Sequence, residues 1–267
     1  MVHVAVPAVG LWLDHVSIEV ADLADAVSRF DEGLGLRVTV SPQAPERHGR
    51  VYLDRAYLEV AAHPGSPTWA VRSFFLRFSD AEALRAHLEG VRLGYRRQVY
   101  EGVDGRWEDV ELDVVDVPVP ILVRRTEPAH LAPNWPPQLD KRHRCGAFTL
   151  AAIHLPIESI EAAEVYARLL NVEVPTVFSS PGGGRRRVLF HLGSGTIMLD
   201  EHGERRAVVL GVASLEMSRA VLSSVLLPPD DEGVAWLDPA ATSNLAIRLI
   251  EAAHGSLPDP RRSGGGG

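Results

Sequence analysis

The apolar residues change period in a fixed order, and the order returns along the chain. Residues 13–20, LDHVSIEV, alternate as a strand does; residues 22–34 then place Leu23, Ala26, Val27, Phe30 and Leu34 on one helical stripe. Asp22 is suited to cap that helix and Gly35 to end it. Strands are expected near 36–41, 50–54 and 56–62, so the unit reads strand, helix, strand, strand, strand. A second unit follows: SFFLRF (73–78), a helix over 80–91, then three strands ending in VPILVRR. A third begins at FTLAAIHL (148–155), with a helix over 158–170 and strands near 172–178, 186–192 and 195–200. A fourth runs from RAVVLGVAS to LAIRLIEA, and its third strand is the hardest to place. One such unit cannot close a core, because its small sheet covers only one face with its helix. Pairing two sheets edge to edge gives a curved, half-open sheet with a concave face suited to a pocket. The expected fold is therefore α+β, with four tandem βαβββ modules paired into two half-open curved-sheet domains. Their expected spans are 12–125 and 146–253, with a Pro-rich linker over 126–145 and a disordered tail over 254–267.

The 267 residues are 46% hydrophobic, enough for a real core, and the formal net charge is −8. That balance argues against nucleic acid or an acidic membrane as partner. One cysteine, Cys145, cannot make an internal disulfide. The apolar start, MVHVAVPAVGLWLDH, lacks a basic segment and is broken by Pro7 and Gly10, so it reads as a lead-in to the first strand. A cytoplasmic protein is expected, monomeric or homodimeric, with a small-molecule ligand and no membrane partner. PGGGRRR (181–187) lacks the Lys-Ser/Thr of a phosphate loop and reads as a hairpin loop.

The segment LDHVSIEVADLADAVSRFDEGLGL (13–36) resembles the opening of glyoxalase-like proteins of the vicinal oxygen chelate superfamily, the group that includes bleomycin resistance proteins and extradiol dioxygenases. RAYLEVAAHPG (55–65) resembles the closing strand of the same unit, and WLDPAATSNLAIRLIE (236–251) a later closing turn and strand. The resemblance implies paired βαβββ modules. In many members it also implies a divalent metal (Mn, Fe, Ni, Zn or Co) on the concave face, with ligands from the first and last strands of each module. Two functions follow as expectations. One is a metal-dependent lyase, isomerase or dioxygenase acting on a small oxygenated organic molecule. The alternative is a metal-free protein that binds or sequesters such a molecule; fold alone does not choose between them.

The resemblance assigns His15 and Glu59 as the metal ligands of the first unit, with Glu59 also a candidate general base. In the second unit Ser73 takes the place of His15, and Val123 or Arg124 stands where a glutamate is expected. Serine is a poor ligand and arginine repels a cation, so Ser73 and Arg124 are expected to contact substrate instead. In the third unit Ala151 aligns with His15, which turns His154 to the other face unless the strand shifts by one residue. Arg248 falls at the glutamate position of the fourth unit, so His154 and Arg248 form a candidate second-half site. Inward-facing arginines suit a carboxylate. Tyr57 is expected on the face opposite Glu59, in the sheet–helix core. The first cup, 13–125, is expected to be the better equipped.

Overall fold

The computed structural model describes residues 10–40, 47–66, 68–102, 105–126, 143–179, 186–228 and 234–252. Most of the expected linker, most of the PGGGRRR loop and the C-terminal tail lie outside these residues.

The first unit is β1 (Trp12–Val20), α1 (Leu23–Ser28) running into a π-helical turn (Arg29–Gly33), β2 (Thr39–Val40), β3 (His48–Tyr52) and β4 (Tyr57–Ala62). The second is β5 (Ala70–Arg77), α2 (Ala81–Gly90), β6 (Tyr95–Gly102), β7 (Gly105–Leu112) and β8 (Ile121–Thr126). The third is β9 (Ala147–Ile157), α3 (Ala162–Leu170), β10 (Phe178–Ser179), β11 (Arg186–Leu192) and β12 (Gly195–Glu201). The fourth is β13 (Ala207–Val212), α4 (Leu215–Val221), β14 (Ala235–Trp236) and β15 (Ala246–Glu251), one strand fewer among the described residues.

Caps set the helix starts as the residue types require. The Asp22 carboxylate accepts from the Asp25 amide at 2.8 Å, and Asp80 accepts from Glu82 and Ala83 at the start of α2. Gly35 follows the π turn at φ +61, a left-handed position that favours glycine.

The eight strands of the first sheet run β2-β3-β4-β1-β5-β8-β7-β6, and the seven of the second run β10-β11-β12-β9-β13-β15-β14. In each sheet two units meet through their own first strands, β1 against β5 and β9 against β13, both antiparallel. Each first strand also pairs in parallel with its unit's last strand, as β1 does with β4 and β9 with β12. These are two curled, half-barrel sheets. On the helix side, Val16, Ile18 and Val20 of β1 are buried with Leu23, Ala26 and Phe30 of α1 and its turn.

The two sheets share one apolar core. The Ser194 hydroxyl accepts from the Leu13 amide at 2.7 Å, and the Tyr166 hydroxyl donates to the Pro118 carbonyl. A Cβ on Gly195 would lie 3.0 Å from the Leu150 carbonyl of the neighbouring strand β9 and 3.1 Å from a Leu13 methyl of the first sheet, so any larger residue here must push these neighbours back by a few tenths of an ångström. No helix among the described residues is long and apolar enough to cross a membrane.

Candidate functional site

Facing pairs in a sheet share a face, so the registers define what lines each cup. In the first sheet His15 lies opposite Tyr57 on one side and Phe75 on the other. The Phe75 row continues to Ile121, and Arg77 lies opposite Val123. Trp107 pairs with Arg125 and Asp109 with Val123. The cup face therefore carries His15, Tyr57, Phe75, Val123 and Arg125.

The floor of this cup is filled by its own side chains. The His15 imidazole is sandwiched between Tyr57, at 4.4 Å between centroids, and Phe75, at 3.9 Å. Its Nδ1 lies 2.8 Å from an Asp14 oxygen. The pairing of β1 with β5 is irregular between Leu13 and His15, and the extra residue there, Asp14, sits beside His15 instead of opposite a partner. Asp14 is almost wholly buried and also pairs with Arg77. Burial alone would raise its carboxyl, but the hydrogen bond and charge of His15, with Arg77 and Arg125, hold it at about 2. Arg125 donates to the Tyr57 hydroxyl at 2.9 Å and lies 3.9 Å from the Trp107 ring centroid.

The candidate residues distribute as follows. Glu59 shares the cup face with His15 but sits one row away, opposite Ser17, and Ser17 in turn faces Ser73. A Glu59 oxygen is 3.8 Å from His48, and Arg50 is its partner across β3. Ser73 thus lies in the Glu59 row. Tyr57 is two residues from Glu59 and on its face, which corrects the expectation of the opposite one. Arg124 is also corrected. It occupies the helix-side face, where it pairs with the buried Glu108 at 2.6 Å and lies over Phe78, while Val123 and Arg125 face the cup. Arg77, Arg125 and Asp14 were not foreseen as parts of this cup. The only sequence signal for Arg125 was its even spacing from Ile121 and Val123.

In the second sheet Ala207 lies opposite His154 and Ala246 opposite Ala207, while Met198 flanks His154 on β12. One row along stand Ala152, Val209, Arg248 and Trp236. The β9–β13 register skips Ala151, and that one-residue bulge returns His154 to the cup face. The expectation that His154 turns away is therefore corrected, and Arg248 faces the cup as expected. Both line a cavity of about 240 Å³, with Asp200, Trp236 and Leu237 also in its wall. An open cavity thus lies in the second cup, whereas the first, expected to be better equipped, has a filled floor.

The chemistry of this cavity is cationic and aromatic. The Arg248 guanidinium carbon lies 3.6 Å from the Trp236 ring centroid, a stacking contact. Arg187 reaches Asp200 at 3.3 Å; the other Asp200 oxygen is buried and accepts no hydrogen bond from the described residues. Burial first, then the charges of Arg248 and Arg187, depress His154 to about 3, so its imidazole is neutral through the ordinary pH range.

A divalent metal needs several converging nitrogen and oxygen donors. Among the described residues no group of three or more His, Cys, Asp or Glu is placed to hold an ion. In the second cup His154 and Asp200 are faced by Arg187 and Arg248. In the first, the His15 imidazole is packed between Tyr57 and Phe75, while Glu59 stands a row away beside His48 and Arg50. Among the described residues neither set fits a resident metal.

A family model of the glyoxalase-like domain matches residues 13–170. No curated protein matches the sequence. The fold is similar to that of the 2,3-dioxygenase LapB from Pseudomonas sp. KL28, at TM-score 0.63 and 16% identity, over 93% of this chain and 94% of that one. It is similar to homoprotocatechuate 2,3-dioxygenase from Arthrobacter globiformis, at TM-score 0.63 and 17% identity, over 95% and 85%. An extradiol ring-cleaving dioxygenase from B. fuscum gives TM-score 0.62 at 14% identity, over 97% and 75%. At such identities the likeness is one of fold. With the paired-module sheets and the family match over more than half its length, the chain belongs to the glyoxalase-like domain family.

Proposed function

We propose that this protein binds a small oxygenated organic anion in its second cup without a resident metal. The observation that carries this is Arg248 stacked on Trp236 at the wall of a cavity that also presents His154. A guanidinium packed over an indole is held in one orientation, and its planar fork of N–H groups suits a carboxylate or enolate oxygen pair. Neutral His154 adds a nitrogen that can donate to or accept from the same ligand. Leu237, Pro239 and Ala246 supply apolar surface for its carbon skeleton.

The family also suggests metal-assisted chemistry, and the names of the structural neighbours suggest ring-cleaving dioxygenation. Either would place a cation beside Arg187 and Arg248 with two protein donors, an arrangement that like-charge repulsion disfavours. Elemental analysis of protein purified without chelator tests this. The expected result is substoichiometric metal and a thermal midpoint that rises with small carboxylates but not with Mn, Fe, Ni, Zn or Co. Stoichiometric metal lost on His154→Ala or His15→Ala would overturn it.

A further inference from the structure

We infer that β6 is the homodimer interface, pairing antiparallel with the same strand of a second copy, with Val99 on the two-fold axis. Strand β6 ends the first sheet, and no strand among the described residues covers its outer side. It is eight residues long, and residues 96–101 are exposed on both faces of the sheet. Val99 is 40% and Tyr100 46% exposed. A long edge with free N–H and C=O groups and apolar side chains invites another strand. The edge strands at the other sheet ends, β2, β10 and β14, have two residues each.

The sequence of β6 selects the occupant. A continuous antiparallel sheet made by a two-fold axis keeps each side chain on its own face, so only residues of one face can oppose each other. Centring on Val99 places Val99 against the partner's Val99 and Arg97 against the partner's Glu101, the latter twice by symmetry. On the opposite face Gln98 meets the partner's Tyr100. Centring instead on Gln98 sets Arg97 against the partner's Val99, and centring on Tyr100 sets Glu101 there; each loses both ion pairs. The charges already present favour the first register. Buried Glu108 is paired with Arg124 at 2.6 Å and with Arg97 at 2.6 Å, two cations on one carboxylate. The partner's Glu101 would balance that excess. Glu101 itself lies opposite Arg106 in its own hairpin, so signs would alternate across the joined sheets.

Light scattering on the full chain across a dilution series tests the interface. The wild type is expected at twice the chain mass. Val99→Pro, which removes an edge N–H and is tolerated at an edge position, is expected to be monomeric with an unchanged circular dichroism spectrum. Arg97→Glu is expected to weaken dimerisation about tenfold or more, and Arg97→Glu/Glu101→Arg to restore it. Cross-linking fixes the register without depending on those variants. The native Cys145 is buried, so a Val99→Cys protein should give a disulfide-linked dimer on mild oxidation, and Gln98→Cys should not. A wild type that is monomeric at every concentration, or a Val99→Pro protein that stays dimeric, would overturn the inference. So would Gln98→Cys cross-linking in place of Val99→Cys.

Discussion

Arg248 lies with its guanidinium carbon 3.6 Å from the centroid of the Trp236 ring, and both reach the same wall of the second cup from the paired strands β15 and β14. The pairing is set by register, since the two residues face each other directly. Truncating the cation should therefore cost binding more than folding. Arg248→Met keeps the stack's apolar part. It is expected to lower affinity for a small carboxylate such as benzoate by about tenfold to a hundredfold, the worth of one charge-assisted hydrogen bond. Calorimetric titration reads this directly, with the unfolding midpoint as a control for structure.

His154 ties stability to pH. Its native value is about 3 and its ordinary value 6.5, so the unfolded chain binds the extra proton between these limits. Stability from this residue is full above 6.5 and is lost as the pH falls toward 3. Urea midpoints at about pH 7 and about pH 5 should therefore differ, and His154→Gln should shrink the difference. An unchanged difference would show that His154 is not buried in neutral form.

Asp14 acts in the same sense at lower pH. Its carboxyl is held near 2 against an ordinary 3.8, so its contribution is present above 3.8 and is lost on acidification through 2. Asp14→Asn leaves Arg77 without its carboxylate and gives His15 a neutral acceptor in place of a charged one. A loss of roughly 3–5 kcal/mol at neutral pH is expected, the range for breaking one side of a buried pair. Chemical denaturation of this variant and of Arg77→Met would measure it.

Much of the fold was legible because periodicity is local. The caps Asp22 and Asp80, the stripe from Leu23 to Phe30 and the fourfold order of elements are all short-range signals. The face of a strand residue is different. It depends on counting by two, and a single extra residue reverses everything beyond it. The bulge at Ala151 reversed the expected face of His154 in this way. For Arg124 the missing information was long-range: the pairings of Phe75 with Ile121 and of Arg77 with Val123 show that Val123 and Arg125, not Arg124, face the cup. Tyr57 needed no structure, since its two-residue spacing from Glu59 already places both on one face. Which cup is open was not legible, because the floor of the first is closed by Phe75 and Arg125, residues distant in sequence from His15.

Gly195 should govern how the two sheets meet. Gly195→Val adds atoms where a Cβ alone already lies 3.1 Å from a Leu13 methyl of the first sheet and 3.0 Å from the Leu150 carbonyl of β9, so a loss of roughly 1–3 kcal/mol is expected. Gly195→Ala should cost less. A midpoint unchanged in both, by thermal unfolding, would mean the sheets can separate without penalty.

The most direct test of metal-free anion binding is titration of benzoate into chelator-treated protein, repeated with Arg248→Met and with added manganese. Saturable binding to the wild type, equal with and without the metal and weakened by the substitution, is the expected result. Binding that appears only when manganese is supplied, or that is indifferent to Arg248, would contradict it.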